Sequence, residues 1–393
     1  MKSKSYSSKS LIIIFVLALS LGIILGFILF KSDKNKNYKN DMNLVYDTLK
    51  NSYIDKIDDK KINEAAIKGM VEYINKNHKD KYTNYFDEED KNEFNEALMG
   101  QFYGTGTEIY KYKDEPVTIL RVFENSPAEK AGLKPGDQYL KIDGQDVSKK
   151  STDELSRLLK GKVQKKYELV VKRKKKELKF NITTDIVDIP SVESKVIKKE
   201  KTKIGYIYIG IFAANTDEQF NKKLKELEKE NISKLIIDLR NNSGGDLDTV
   251  LKIASNFMNK DKVIVKIVNK DKKTNKYSLK DDDKKNDIVV LVNNKSASAS
   301  EVLASALKDN SGAELVGETT YGKGSVQKVK MLSSGAMLKY TVETWETSKD
   351  VQINNKGIKP TIEVKLGNDY YKSYEEKDDN QLQKAIEILQ EKK

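Results

Sequence analysis

The sequence predicts an α/β protein in three parts: an N-terminal transmembrane helix, a β-rich module and a C-terminal α/β core. Three observations carry this prediction. Residues 11–30 form an uncharged apolar run, residues 101–185 contain short β-type runs separated by turns, and strand and helix patterns alternate from residue 204 onward. Such alternation is typical of a sheet covered by helices. A chain of 393 residues is also long enough to bury more than one core.

The apolar run at 11–30 predicts an uncleaved signal anchor. About 20 apolar residues span a bilayer as a helix, whereas the apolar core of a signal peptide has about 7–15. No small-residue cleavage site follows the run, and Lys2, Lys4 and Lys9 precede it. Basic residues favour the cytoplasmic side of a membrane. We therefore expect residues 1–10 to be a short cytoplasmic tail. The body would lie outside the cytoplasm, held at the cell membrane by a single pass.

The remaining chain divides by pattern into further segments. We expect a linker and N-terminal helical region at 31–100, the β-rich module at 101–185, the core at 186–366 and a helical tail at 367–393. The core pattern predicts strands at 204–211, 234–239, 287–292, 314–318, 325–332 and 337–346, and helices at 216–230, 246–258 and 300–308. A charged segment at 193–203 separates module from core, and 270–286 predicts a mobile loop or hairpin. The helical ends of the body could form a homodimer.

Composition excludes several kinds of chemistry. The chain has no cysteine and a single histidine, His78, so thiol nucleophiles, disulfides and multi-histidine metal sites are excluded. A Ser-His-Asp triad would have to use His78. We expect no metal and no cofactor. The net charge of +12 is thinly spread apart from one basic block at 172–176, and zinc spacings and aromatic RNA-binding motifs are missing. We therefore expect no nucleic-acid partner.

The β-rich module begins with a glycine-containing loop, Gly104-Thr105-Gly106-Thr107. Such a loop can turn its backbone N–H groups onto the terminal carboxylate of a peptide, while the following strand edge pairs with the peptide backbone. A plain β-turn would explain these two glycines equally well. A longer pattern follows, with Ser-Pro-Ala at 126–128, Gly-Leu-Lys-Pro-Gly-Asp at 132–137 and Asp-Gly at 143–144. Together these residues resemble the PDZ domains of exported bacterial proteases, over about 100–185. That resemblance implies capture of polypeptide C-termini.

Three segments of the core carry candidate chemistry. Glycines that include Gly244 follow an apolar strand, where backbone N–H groups could approach a ligand, although a tight turn needs no ligand. Ser298 opens a helix, and the Ala299 N–H could face a developing oxyanion. Because Ser298-x-x-Glu301 also fits a capping box, a purely structural role is open. Lys323 lies between two glycines and would need burial to act as a neutral base. In an extended strand, Gln327 would lie on the same side as Lys323, so that its amide could orient the lysine amine.

These three segments together resemble the C-terminal processing (tail-specific) peptidases. The resemblance covers about 43–365 and implies a core of the Clp-protease and crotonase type with an inserted PDZ domain. It also implies that Ser298 is the nucleophile, Lys323 the general base, Gln327 the support of the lysine, and Gly244 and Ala299 the oxyanion-hole donors. Ser243 stands where the family usually has proline, and the segment 78–86 departs from the family pattern.

The sequence thus predicts a membrane-anchored serine endopeptidase that works through a Ser-Lys dyad and an acyl-enzyme. Its partners would be polypeptides recognised through their C-terminal tails. A non-catalytic PDZ scaffold with a degenerate protease core is the main alternative. A crotonase-like acyl-CoA enzyme is a second alternative, which the PDZ-like module and the exported location oppose.

Overall fold

The computed structural model describes residues 38–160, 164–200, 202–270, 272–281, 286–373 and 375–392. The predicted membrane span at 11–30 lies outside these residues. Within the described ranges, no helix is both long enough and apolar enough to cross a membrane. The chain divides into two compact units, Met1–Tyr73 and Ile74–Lys393.

The described part of the first unit consists of helix α1 (Tyr38–Ser52) and most of helix α2 (Asp59–Asn77). An ion pair of 2.7 Å joins Lys50 near the end of α1 to Asp59 at the start of α2. None of the residues of α1 is buried, and Leu44 and Val45 are exposed.

The second unit opens with strand β1 (Asn84–Phe86) and helix α3 (Glu88–Met99). The acidic stretch at 87–90 lies at the start of α3. The Asp87 carboxylate accepts hydrogen bonds from the backbone N–H groups of Glu89 and Asp90, which satisfies free donors of the first helical turn. Gly100 ends the helix in the left-handed conformation, with φ of 69°.

The β-rich module follows as a compact body built around a five-stranded path. Its elements are β2 (Gln101–Gly104), β3 (Thr107–Tyr110), β4 (Thr118–Val122), α4 (Pro127–Ala131), β5 (Gln138–Ile142), β6 (Gln145–Asp146), α5 (Thr152–Leu159), β7 (Lys166–Arg173), β8 (Lys176–Thr183) and β9 (Asp185–Asp188). Strands β3, β4, β5, β7 and β8 pair in that order, with β6 on β5. Strand β2 leaves this sheet and pairs with β9 in a two-stranded ribbon. The ribbon connects the module to the core.

Among the described residues, the core contains two further sheets and five α-helices. Its elements are β10 (Val192–Lys199), β11 (Thr202–Ile209), α6 (Thr216–Lys229), β12 (Lys234–Asp238), α7 (Leu247–Ala254), β13 (Val263–Val268), β14 (Lys273–Tyr277), β15 (Asp287–Val292), α8 (Ala299–Ser311), β16 (Glu314–Gly317), β17 (Ser325–Met331), β18 (Met337–Thr347), β19 (Ile362–Glu363), α9 (Asn368–Ser373) and α10 (Asn380–Glu391). Every predicted core strand and helix is present within a few residues. The hairpin alternative for 270–286 is realised by β13 and β14.

The charged segment at 193–203 was wrongly predicted to be a connection. Most of it is β10, which pairs antiparallel with β11 along its whole length. Strand β10 lies at the edge of the six-stranded sheet β10-β11-β12-β15-β16-β19, whose other pairings are parallel. Charged side chains are common on edge strands because they discourage pairing with a second molecule. High charge therefore marked an exposed edge here.

The six-stranded sheet is covered on both faces. Helices α6, α7 and α8 pack on one face, and α10 packs on the other through Leu382, Ala385, Ile386 and Leu389. Burial on both faces explains why β12 and β15 read as continuous apolar runs. Each buried Leu or Ile of α10 contributes about 1.5–3 kcal/mol. The predicted helical tail is thus part of the core of its own chain.

A buried arginine also ties α10 to the sheet. Arg240 follows β12, and its guanidinium bonds to Asp238, to Asp379 at the start of α10 and to Gln381. The two carboxylates raise the pKa of Arg240 despite its burial. Several charge-assisted bonds therefore join the end of β12 to the last helix.

Candidate active site

The candidate residues of the core lie in loops that follow parallel strands. The loop at 239–245 follows β12, the turn at 293–298 follows β15, and the segment 318–324 follows β16. Because β12, β15 and β16 are adjacent and parallel, their carboxyl ends meet at one edge of the sheet. Ligand sites of open α/β sheets form at such an edge. The fold thus brings the three predicted segments together.

Direct hydrogen bonds connect these three segments. Ser296 Oγ donates to the carbonyl oxygen of Leu239 at 2.8 Å, and Tyr321 N donates to that of Ser296 at 3.0 Å. The backbone oxygen of Asn242 accepts bonds from Ala297 N and Ser300 Oγ. These contacts fix the turn that carries Ser298 between the other two segments.

Ser298 occupies a strained turn immediately before α8. Its φ of 54° and ψ of −115° lie in a region that L-residues rarely adopt. A sharp strand-to-helix turn of this kind exposes the nucleophile in many hydrolases. The Ser298 hydroxyl and the Glu301 side chain occupy the two positions of a capping box, and the N–H of Glu301 also donates to the Ser298 carbonyl oxygen at 2.8 Å. The capping-box alternative is therefore realised, with Ser298 N donating to Glu301 Oε2 at 2.8 Å.

Glu301 joins the serine segment to the lysine segment. Its side chain is fully buried, and Oε2 accepts bonds from Ser298 N at 2.8 Å and Lys323 N at 2.9 Å. Its other oxygen, Oε1, accepts from Thr320 Oγ1 at 2.6 Å and Gly322 N at 2.7 Å. Burial raises the pKa of Glu301, while these four donors oppose that shift. One carboxylate therefore holds the backbones of both dyad candidates.

Lys323 lies half-buried near the end of the segment 318–324. Its Nζ stands 4.7 Å from the ring centroid of Tyr82, and its carbonyl oxygen accepts from Trp345 Nε1 at 3.0 Å. Burial lowers the pKa of Lys323, and repulsion from Lys339 lowers it further, whereas Glu301 attracts the proton. A lysine needs such a lowered pKa to act as a base near neutral pH. In the described part of the chain, no hydrogen bond joins Nζ to Ser298.

Gln327 does not have the contacts that its spacing suggested. Its Nε2 donates to Ser325 Oγ at 2.9 Å and to Thr341 Oγ1 at 3.3 Å, and it does not bond to Lys323. The reason is local. Strand β17 starts only at Ser325, and a β-bulge between Val326 and Gln327 interrupts the alternation of sides on which the expectation rested.

Gly244 lies against the serine, as the predicted oxyanion loop requires. A methyl group added to Gly244 would stand 2.8 Å from Ser298 Cβ and 3.0 Å from Ala299 N, so only glycine fits here. The Gly244 N–H itself donates to Oδ1 of the buried Asn242 at 2.8 Å. Ala299 is the first residue of α8, so its N–H has no acceptor within the helix. Ser243, which replaces the family's proline, is exposed.

Sequence reasoning missed Tyr82 and Lys339, which both belong to the surroundings of Lys323. Tyr82 lies in the segment 78–86, which had been noted only as a departure from the family pattern. Burial and a hydrogen bond with Tyr321 raise the pKa of Tyr82. The one available signal was a short aromatic run, Tyr82 to Phe86, ahead of α3.

Within the described ranges, no group of three histidine or carboxylate side chains could hold a metal ion.

The predicted peptide-binding loop of the module is tightly packed. Thr105 is 4% exposed, its carbonyl oxygen accepts from Ala128 N at 2.8 Å, and the Thr107 hydroxyl lies 3.0 Å from that of Tyr139. Strand β3, which follows the loop, is an edge strand of the module sheet. A free strand edge after a glycine loop is the arrangement that strand addition by a peptide requires.

Gly106 offers a test of this packing. An added Cβ would lie 2.2 Å from Ser126 Cβ, and φ is 84°. We expect Gly106→Ala to destabilise the module by about 2–4 kcal/mol, through backbone strain and overpacking together. Gly136→Ala is a matched control because Gly136 has φ of 88° and nothing within 4 Å of an added Cβ. It should cost only about 1 kcal/mol in denaturant unfolding. Equal costs for the two variants would contradict the packing argument.

The chain matches known families along most of its length. Residues 203–364 match Peptidase family S41, residues 118–173 match the PDZ domain, and residues 30–90 match the Activating protease CtpB N-terminal domain.

Two curated relatives and one solved structure illustrate the similarity. The chain is 36% identical over 357 residues to a "Probable CtpA-like serine protease" of Staphylococcus haemolyticus (strain JCSC1435), covering 87% of this chain and 69% of the relative. It is 35% identical over 323 residues to "Carboxy-terminal processing protease CtpB" of Bacillus subtilis (strain 168), covering 81% and 66%. An S41 protease from Bacteroides fragilis NCTC 9343 has the same fold, with a TM-score of 0.50 and 18% identity over 86% of this chain and 91% of that one.

The chain spans 64–69% of the length of the curated relatives that it matches. Identity above a third, over more than two thirds of the Staphylococcus haemolyticus protein, agrees with the three family matches and with the site geometry. The chain belongs to peptidase family S41 and carries a PDZ domain.

Proposed function

We propose that this protein is a serine endopeptidase of the C-terminal processing type, with Ser298 as nucleophile and Lys323 as general base. The observation that carries the proposal is the placement of Ser298. It stands in a strained turn against Gly244, and Glu301 accepts hydrogen bonds from its backbone N–H and from that of the half-buried Lys323. The names of relatives such as the Bacillus subtilis carboxy-terminal processing protease support the same reaction.

The proposed reaction is peptide hydrolysis through an acyl-enzyme. The neutral amine of Lys323 takes the proton of Ser298 Oγ as Oγ bonds to the carbonyl carbon of the substrate. The resulting ammonium gives that proton to the departing amine as the C–N bond breaks. Water, deprotonated by the same lysine, then adds to the ester carbon. The C–Oγ bond breaks, the lysine returns the proton to Ser298 Oγ, and a new carboxylate is released.

Charge that develops on the substrate oxygen needs donors close to Ser298. The N–H of Ala299 is available for this purpose because the helix offers it no acceptor. The N–H of Gly244 becomes a second donor once it exchanges Asn242 Oδ1 for the substrate oxygen. Formation of the active site thus includes a small movement of this loop.

The PDZ domain supplies substrate recognition in this proposal. A polypeptide C-terminus would pair with the edge strand β3, and its carboxylate would meet the loop Gly104-Thr105-Gly106-Thr107. Residues 11–30 would anchor the protein in the membrane with its body outside the cytoplasm. The uncharged apolar run is the support for this anchoring. A homodimer remains a prediction, to which the exposed apolar residues of α1 could contribute.

Cleavage of an unfolded polypeptide tests the proposal. The full-length protein in detergent should cleave a denatured substrate with an apolar C-terminal tail faster than the same substrate with an amidated tail. Mass spectrometry should show new carboxyl termini, and a fluorophosphonate probe should label Ser298. Lack of both cleavage and labelling would refute the proposal. Binding of the tail without labelling would favour the non-catalytic scaffold.

A further inference from the structure

Two half-buried lysines face the same short segment of the chain. Lys323 and Lys339 both lie against residues 82–86, and neither forms an ion pair within the described ranges. The proposed mechanism uses Lys323 and assigns nothing to Lys339. A half-buried ammonium without a carboxylate partner is costly, so the second lysine calls for an explanation.

Strand pairing brings Lys339 to this place. Strand β1 pairs antiparallel with β18, so that Asn84 lies opposite Lys339. Two residues further along β18, Thr341 N donates to Thr83 Oγ1 at 3.2 Å. The neighbouring Tyr82 places its ring 4.7 Å from Lys323 Nζ. The segment 82–86 therefore connects the two lysines, and both positions are fixed by backbone contacts.

Aromatic rings favour a charged Lys339. Its Nζ lies 5.3 Å from the ring centroid of Phe86 and 5.2 Å from that of Phe94, and these two rings pack against each other at 5.1 Å. The negative face of an aromatic ring attracts an ammonium and so favours its charged form. Lys323 has one ring, that of Tyr82. When two ammonium groups share a poorly solvated site, repulsion favours loss of a proton from one of them.

We propose that Lys339 is a positioning residue for catalysis, whose ammonium, held between Phe86 and Phe94, keeps the amine of Lys323 in the neutral form that a general base requires. This inference rests on the proposed function of Lys323.

Neighbouring charges agree with this assignment. Burial lowers the pKa of both lysines, and the repulsion from Lys339 lowers the pKa of Lys323 in particular. Asp80 attracts the proton of both lysines and Glu301 that of Lys323, while the ring of Tyr82 faces Lys323. The other charged groups of the packed elements are Glu88, Glu89, Asp90, Lys91, Glu93 and Glu96 on α3, Lys328 and Lys330 on β17, and Glu343 and Glu346 on β18.

The pH dependence of proteolysis tests the inference. Peptide cleavage requires neutral Lys323, so kcat/KM should rise with pH through the pKa of this residue. Lys339→Met keeps a long apolar side chain against the rings but removes the repelling charge, which raises the pKa of Lys323. We expect the acidic limb of the profile to shift to higher pH by about one unit. At pH values below the limb, kcat/KM should then fall about tenfold, and it should recover at higher pH.

Two variants separate charge from packing. Lys339→Arg keeps a cation and should leave the limb near its original pH, whereas a purely structural role of Lys339 would lower activity equally at every pH. Lys328→Met, which removes an exposed lysine from β17, should leave the limb unchanged. A limb that stays in place in Lys339→Met, or moves as far in Lys328→Met, would overturn the inference.

A second measurement does not depend on proteolysis. The amine of Lys323 can be titrated by competitive acetylation with trace acetic anhydride, followed by mass spectrometry, in Ser298→Ala protein with and without Lys339→Met. We expect a higher midpoint for Lys323 when Lys339 is replaced, and an unchanged midpoint would refute the inference. If no polypeptide is cleaved yet the midpoint rises, the proposed function fails and the electrostatic coupling stands.

Discussion

Replacement of Ser298 or Lys323 by alanine should lower kcat/KM for an unfolded polypeptide by about 10⁴-fold or more. Ser298→Ala removes the atom that would form the acyl-enzyme, and Lys323→Ala removes the group that would accept its proton. Because the two act in one step, the double variant should be no slower than either single variant. The measurement is the rate of appearance of new carboxyl termini under conditions in which each protein is folded.

Matched controls distinguish this result from a general loss of structure. Ser333→Ala and Lys328→Ala remove an exposed serine and an exposed lysine from the turn and strand that follow Lys323, and both should keep full activity. The melting temperature of Ser298→Ala should lie within a few degrees of that of the parent, because only the capping contact of the hydroxyl is removed and the bond from the residue's N–H to Glu301 remains. Retention of more than about a tenth of the activity by either dyad variant would rule out the dyad.

The second large effect is expected at Glu301. In the parent protein, each carboxylate oxygen of Glu301 accepts two hydrogen bonds. In Glu301→Gln, one of these oxygens becomes an NH₂ group, which is itself a donor. In either orientation of the amide, this NH₂ group would face two donors that have lost their acceptor. We expect unfolding free energy to fall by about 2–4 kcal/mol. Displacement of Ser298 from Lys323 should also lower kcat by about 10²-fold, with little change in KM.

Glu314→Gln is the matched control for this substitution, since Glu314 is half-exposed on β16 and none of its side-chain contacts involves the site. Its unfolding free energy and kcat should both stay close to those of the parent. The decisive observation is kcat measured well below the unfolding temperature. A stable Glu301→Gln protein with normal kcat would show that Glu301 is only a structural buried carboxylate.

The difference between what sequence could and could not predict has physical causes. The dyad candidates were found because each lies in a short motif after a strong strand signal. Only part of the role of Glu301 could be predicted from the sequence. The capping pattern correctly predicted its contact with Ser298 N. Its bonds to Gly322 and Lys323 depend on how adjacent parallel strands assemble. Gln327 was misplaced because a β-bulge leaves no mark in residue alternation.

Lys339 and Tyr82 were missed for a related reason. Strand β1 has three residues, too short for a periodic pattern, and its partner β18 lies more than two hundred residues further along the chain. Pairing over such a distance is set by the assembled sheet and is not encoded locally. Most strands and helices of the core were nonetheless predicted within a few residues, because each is buried on at least one face and carries a regular apolar pattern.

The contact between Arg240 and α10 has a practical consequence for where the chain can be cut. The match to Peptidase family S41 ends at residue 364, and a version truncated there would look complete by family boundaries. It would lack Asp379 and Gln381, leave the guanidinium of Arg240 with Asp238 alone, and uncover one face of the central sheet. Arg240 lies four residues before Gly244, so the damage would reach the loop beside Ser298. We therefore expect truncation, tagging or fusion near the last helix to disturb the loop beside Ser298 and to lower activity.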